Sequence, residues 1–244
     1  MDLKFGIKYS KKKELRLRFQ AIRTEVSATP RVKDSPPLDN KIFCIGFGKT
    51  GTTSLELALK DFGYKMGFQP VAEMLVEDWH KGEVDRILNY CHSADAFQDL
   101  PFGAPGLFRE LDKNFPKSKF ILTIRTTPEL WFDSVLKFHG KKFSADGKSV
   151  PTIEELGNKV YRYKGWPLDM ISYLFGYPEI DLYDKEKYIE IYLKHIEDVR
   201  EYFKDRKNDL LVLDVSLSGS YQKLADFLGI EVGEYDSFPW LNKT

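Results

Sequence analysis

Lys49 stands inside the turn "GFGKTGTTS" (residues 46–54), directly behind the apolar run "KIFCI". The chemistry such a turn can do is anion binding. A glycine-rich turn between a buried strand and a helix aims successive backbone N–H groups, with the positive end of the helix dipole, at one point. Three alignments compete for that anion. A dinucleotide turn, G-x-G-x-x-G, needs an acidic residue about twenty positions on to hold a ribose hydroxyl. Between Asp61 and Glu73 the chain reads "FGYKMGFQPVA" and supplies none. A nucleotide triphosphatase loop closes with Gly-Lys-[Ser/Thr], the lysine on the terminal phosphates and the hydroxyl on Mg²⁺. Here Gly51 is followed by Thr52, and the lysine lies two residues before that glycine, yet the apolar "LLVLD" ending at Asp214 imitates an acidic Mg²⁺ strand. In the third alignment Lys49 stands over a group in transfer, while the N–H groups and the hydroxyls of Thr52, Thr53 and Ser54 hold its oxygens.

A second element follows about seventy residues later. In "KFILTIRTTPELWFDS" an apolar strand ends at Arg125, Thr127 and Pro128 open a helix as cap and first residue, and Ser134 rides on that helix. On these two elements the chain resembles the PAPS-dependent sulfotransferases. Their 5′-phosphosulfate loop is a lysine, one residue, then Gly-Thr-Thr or a close variant, to which "GKTGTTSL" is similar; their next signature is a strand-ending arginine that grips the 3′-phosphate together with a serine on the following helix. The spacing from Arg125 to Ser134 is one residue longer than that family's usual one, and the extra threonine is expected to bulge the turn. "DLLVLDVSLSGSYQKLADFLGI", "FPWLN" and "FQDLPFGAPGLFRELDKNFPKSKF" extend the resemblance over residues 41–242.

The resemblance implies a P-loop NTPase-like fold, PAPS (3′-phosphoadenylyl sulfate) as donor and adenosine 3′,5′-bisphosphate as product, with no metal. It also implies Gly48, Lys49, Thr50, Gly51, Thr52, Thr53, Ser54, Arg125 and Ser134 as the residues that bind the donor.

Sulfuryl transfer parallels phosphoryl transfer, in which positioning and charge neutralisation on the leaving oxygen carry the catalysis. Lys49 is the candidate for that oxygen. The acceptor must lose a proton, which calls for a carboxylate or an imidazole beside the sulfate. Asp99 follows the predicted short strand "AFQD", and Pro101 turns the chain away from the sheet, where strand ends face the ligand crevice. It also matches the proposed base of a family branch with an Asp-x-Pro element. An aspartate before Leu-Pro serves equally as a turn former. His139, bordering an aromatic stretch, is the rival base. His80, His92 and His195 fall on or beside predicted helices, where a surface or core imidazole is ordinary, and none has metal-ligand spacing.

The elements that must position these residues begin at Lys41, where short apolar runs alternate with helical segments. That grammar predicts a single α/β domain with a central parallel sheet flanked by helices. Strand "KIFCIG" precedes a helix from Thr52 to Phe62 that ends at Gly63, and "AFQD" precedes a helical Phe102–Phe115. "SKFILTIR" is the strongest strand, and "LLVLDV" is another. A long helix covers Asp184–Asp205, and a last one covers Tyr221–Leu228, ending at Gly229. Residues 139–183 read as irregular and aromatic, with Tyr161, Tyr163, Trp166, Tyr173, Phe175 and Tyr177. They suit a lid or acceptor wall for a phenol, sugar or other alcohol, or the core of a helical subdomain.

With 244 residues, one such domain with an insertion accounts for residues 41–244. Residues 1–40 form a basic arm and a Pro/Ser/Asp-rich linker. The first 33 residues hold ten Lys/Arg against three acids although the whole chain is neutral. Such an arm suits an anionic surface, a partner subunit or a solvated tail, and its sparse aromatics weigh against nucleic acid. Cys44 and Cys91 have neither zinc nor disulfide spacing, which points to core packing and a reducing compartment. No window has the apolar length of a membrane span or an h-region, so a cytoplasmic protein is expected. The reading that joins these features is transfer of sulfate from PAPS to a hydroxyl or amine of a small-molecule or carbohydrate acceptor. The alternatives are a P-loop kinase or triphosphatase using Mg²⁺ and Asp214, and a non-catalytic nucleotide-binding module.

Overall fold

The order in which four short apolar runs pair decides where the glycine loop lies. The computed structural model describes residues 40–231 and Phe238. In it β1 (Ile42–Cys44) lies between β2 (Ala96–Phe97) and β3 (Lys119–Thr123), with β4 (Leu210–Leu213) outside β3, so the sheet order is β2-β1-β3-β4. All three pairings are parallel, with Ile42 opposite both Ala96 and Lys119, and Thr123 opposite Leu213. Every residue of β1 is buried, including Cys44, as a strand covered on both faces requires. From β1 the chain crosses to one side for β2 and then to the other for β3. This change of direction opens a crevice beyond the carboxyl ends of the strands, and the loop after Ile45 enters it.

Parallel pairing demands crossovers, and helices provide them. Helix α1 (Thr52–Asp61) buries Leu55, Ala58 and Leu59 against Ile42, Cys44, Leu213 and Val215, and the chain leaves it through Gly63 at φ 88. Between α1 and β2 lie three short helices that the sequence pattern does not announce: α2 (Gln69–Ala72), α3 (Val76–His80) and α4 (Asp85–Tyr90). Helix α5 (Leu107–Asn114) starts later than the expected Phe102. A residue preceding proline avoids helical backbone, and Gly106 takes a left-handed φ of 80, so Ala104 to Gly106 turn instead. Helix α6 (Pro128–Phe143) begins as its residues indicate, with the Thr127 hydroxyl accepting the Leu130 N–H at 3.2 Å.

The stretch expected to be irregular is helical over a little under half its length. It contains the end of α6, then α7 (Ile153–Asn158) and α8 (Trp166–Phe175). The signals are local: Thr152 and Glu155 form a capping box, and Gly165 and Gly176 bracket α8 with left-handed backbone. Tyr163, Trp166 and Phe175 are buried, and Phe175 stacks at 3.9 Å on Tyr188 of α9 (Lys185–Tyr202). These aromatics therefore build a subdomain core. Trp131 of α6 stacks at 4.3 Å on Tyr192 of α9, and Phe47 packs on both, tying the loop to two helices. Helix α10 (Ser220–Leu228) ends at Gly229, and Phe238 packs on Tyr221. The basic arm and the rest of "FPWLN" lie outside the described residues.

Gly46 illustrates how tightly the loop leaves the sheet. A Cβ there would stand 2.2 Å from Thr123 Oγ1 and 2.4 Å from the Thr123 carbonyl, whereas one at Gly157 would meet only Leu168 at 3.7 Å. Gly46→Ala is expected to cost about 1–3 kcal/mol in urea unfolding. Gly157→Ala, inside a helix, should be neutral or stabilising by up to about 1 kcal/mol.

Candidate active site

The loop is built to present N–H groups. Ile45 still donates to the Ile121 carbonyl at 2.8 Å, but no backbone N–H from Gly48 to Ser54 finds an acceptor among the described residues. Lys49 (φ 72) and Gly51 (φ 96) both take left-handed backbone, and the ten-residue α1 starts directly behind them. Successive N–H groups in such a concave turn, with the helix dipole, form an anion cradle. The carbonyls are fastened elsewhere. Trp131 Nε1 donates to the Gly48 carbonyl at 3.1 Å, Arg125 Nε to that of Lys49 at 2.8 Å, and Thr50 Oγ1 to that of Phe47 at 2.6 Å. Thr50 Oγ1 also meets Thr123 Oγ1 at 2.6 Å, so its hydroxyl is spent inside the protein and only its N–H remains for an anion. A Cβ on Gly51 would collide with Val215, which explains the glycine.

Asp99 and Lys49 converge on this turn. Asp99 carries φ 56, and its Oδ1 accepts the Leu100 N–H at 2.9 Å. Thr52 donates its hydroxyl to Asp99 Oδ2 at 3.3 Å. A Cβ on Gly48 would sit 3.1 Å from Oδ1, so the carboxylate lies across the bare face of that glycine. Lys49 Nζ stands 3.9 Å from the centroid of the Phe138 ring, a cation–π contact. Burial lowers the Lys49 pKa, which Asp99 opposes and Arg125 and Lys142 reinforce. Burial likewise raises that of Asp99, against the Leu100 N–H and Lys49. The raised carboxylate is a stronger base than an ordinary one.

The second element closes the loop from the far side. Arg125 uses Nε on the Lys49 carbonyl, and its terminal nitrogens have no hydrogen-bonding partner among the described residues. Its own N–H donates to Tyr192 Oη at 3.1 Å. The extra threonine of this turn, Thr126, donates to Asp214 Oδ2 at 2.6 Å, while the Ser216 N–H and hydroxyl occupy Oδ1. Asp214 is therefore buried and saturated in service of the turn, which removes the support for reading it as a Mg²⁺ residue. Trp131, Ser134 and Phe138 share one face of α6 by their i, i+3, i+7 spacing, and the contacts of Trp131 and Phe138 show that this face meets the loop. Ser134 is partly exposed there, as is Ser54, while Thr53 is exposed; none of the three hydroxyls is bonded among the described residues.

His139 is brought near Lys49 but is buried, with Nδ1 3.0 Å from Tyr183 Oη. Burial, aided by the charge of Lys49, presses its pKa down to about 3. A neutral imidazole of that kind is a weak proton acceptor. His195 instead donates Nε2–H to the Ile45 carbonyl at 2.7 Å and holds the exit of β1. Among the described residues no group of three or more His, Cys, Asp or Glu is arranged to hold a metal, and no helix is long and apolar enough to cross a membrane.

Sequence reasoning did not single out Glu73, Gln69 or Arg162. Glu73, buried in the short turn after α2, is paired with Arg162. Burial lifts its pKa to about 7, opposed by Arg162 and furthered by the charge of Asp99. Tyr161, half-buried beside it, feels both carboxylates. No periodic or motif signal marks these residues, because their role arises from contacts between segments far apart in the chain.

The pKa of His139 has a consequence for stability. The unfolded chain takes up this proton near 6.5 and the folded chain only near about 3. The neutral folded form thus holds its full stability above the unfolded value and loses up to ~1.4 kcal/mol per pH unit as the pH falls between the two. Urea unfolding at about pH 7 and about pH 4 should show a smaller acid loss in His139→Gln than in the wild type.

A search of curated proteins returns no match to the chain. A family model, described as the sulfotransferase domain, matches residues 41–244, the whole span from the first strand onward. The chain belongs to the sulfotransferase domain family.

Proposed function

We propose that the protein transfers the sulfuryl group of PAPS to a hydroxyl or amine of a small-molecule or carbohydrate acceptor, releasing adenosine 3′,5′-bisphosphate. The observation that carries this reading is the Asp99 carboxylate lying across the bare face of Gly48, near enough to Lys49 to act on its charge, at the edge of one N–H cradle. The donor set fits such a nucleotide, being made of N–H groups, hydroxyls and cations, the complement of a polyanion. The N–H groups of residues 48–54 with Thr53 and Ser54 suit the 5′-phosphosulfate, and Arg125 with Ser134 suits the 3′-phosphate.

Asp99 accepts the proton that the acceptor loses as its oxygen or nitrogen bonds to sulfur. Lys49 neutralises the charge that develops on the phosphate oxygen from which sulfur departs. The N–H groups hold the oxygens of the group in flight and need no reorganisation to do so. Asp99 returns its proton to solvent after the products leave. The charge work falls to Lys49, Arg125 and the backbone, and this reading calls for no metal.

Thermal shift with adenosine 3′,5′-bisphosphate, ATP plus Mg²⁺, and NAD tests the donor class. The bisphosphate should stabilise the protein by about 2.7 kcal/mol at a hundred times its Kd, and stabilisation by ATP plus Mg²⁺ alone would overturn the proposal. Asp99→Asn should lower turnover of labelled PAPS by about 10²–10⁴-fold and Lys49→Ala by about 10²–10³-fold, with bisphosphate binding largely kept. Wild-type turnover in both variants would reduce the protein to a nucleotide-binding module.

A further inference from the structure

Asp99 holds a left-handed backbone, which an aspartate tolerates but does not favour, so its two flanks need fixing. Gln69 supplies the fixing. Its Nε2 donates to the Leu100 carbonyl at 3.0 Å, and its Oε1 faces Gln98 Nε2 at 3.4 Å. One side-chain amide thus grips the residue before Asp99 and the residue after it. Gln69 is itself held: one helical turn on, the Glu73 N–H donates to its carbonyl, and the Glu73 carboxylate lies near its side-chain amide. Arg162 pairs with Glu73 and lies 4.5 Å from the centroid of the Tyr161 ring, while Trp166 Nε1 donates to the Glu73 carbonyl at 3.2 Å.

We propose that Gln69, anchored by the Glu73–Arg162 pair, is a positioning residue that aims the Asp99 carboxylate at the acceptor. This rests on the reading of Asp99 as the base. Arg162 and Trp166 come from the aromatic segment, so that subdomain and the base share one support. A displacement of even about 1 Å in such a group is enough to cost up to about a hundredfold in rate.

The test is a double-mutant cycle read by loss of the labelled sulfuryl group from PAPS, to 4-nitrophenyl sulfate with 4-nitrophenol as stand-in acceptor or to free sulfate with water, the enzyme being in excess. Gln69→Ala should lower the rate about 10- to 100-fold, leave bisphosphate affinity by calorimetry unchanged, and cost nothing further in an Asp99→Asn background. Glu73→Gln, which keeps the side-chain shape, should show the same pattern with a smaller loss. Equal losses from Gln69→Ala in both backgrounds would overturn the positioning role, as would an unchanged rate in Gln69→Ala. A wild-type rate in Asp99→Asn would overturn the base reading and the positioning role together.

Discussion

The rest of the site depends on where the loop carbonyls point. An anion cradle needs its N–H groups free, and because a trans peptide directs its N–H and C=O to opposite sides, fastening the carbonyl fixes where the N–H points. Trp131 takes the carbonyl of Gly48, Arg125 that of Lys49, and Thr50 that of Phe47. The two side chains from outside the loop come from the β3–α6 element, so one structural unit both sets Arg125 beside the loop and orients the loop's backbone. Phe47, wedged among Trp131, Tyr192 and His195, transmits the packing of α6 and α9 to the same turn.

Charges of both signs act on the site: Lys49 feels Asp99, Arg125 and Lys142, Asp99 feels Lys49 and Glu56, and Glu73 feels Arg162 and Asp99. Burial pushes Lys49 and Asp99 toward their neutral forms, and each opposes that push on the other. Burial and proximity thus act in opposite senses on the two groups.

The architecture was largely legible in the chain because its cues are local. Continuous apolar runs, a Thr-Pro cap before α6 and glycines after α1 and α10 act over a few residues and need no partner elsewhere. Residues 139–183, read as irregular or as a helical subdomain core, also carry local helix signals in the Thr152/Glu155 box and the glycines around α8. The late start of α5 has the same local character: Pro105 and Gly106 hold the chain in turns before it.

The loop motif, the arginine that follows β3 and the sulfotransferase family were likewise decided by the sequence alone, since they rest on residue type and spacing along one strand–turn–helix unit. Only the tertiary structure decided that Gly48 is bare to admit Asp99, that Asp214 is consumed by Thr126 and Ser216, that His139 is sealed against Tyr183, and that Gln69 clamps both flanks of Asp99. Each of these joins segments tens of residues apart, and which oxygen meets which donor follows from sheet order and helix packing, quantities that no local pattern encodes.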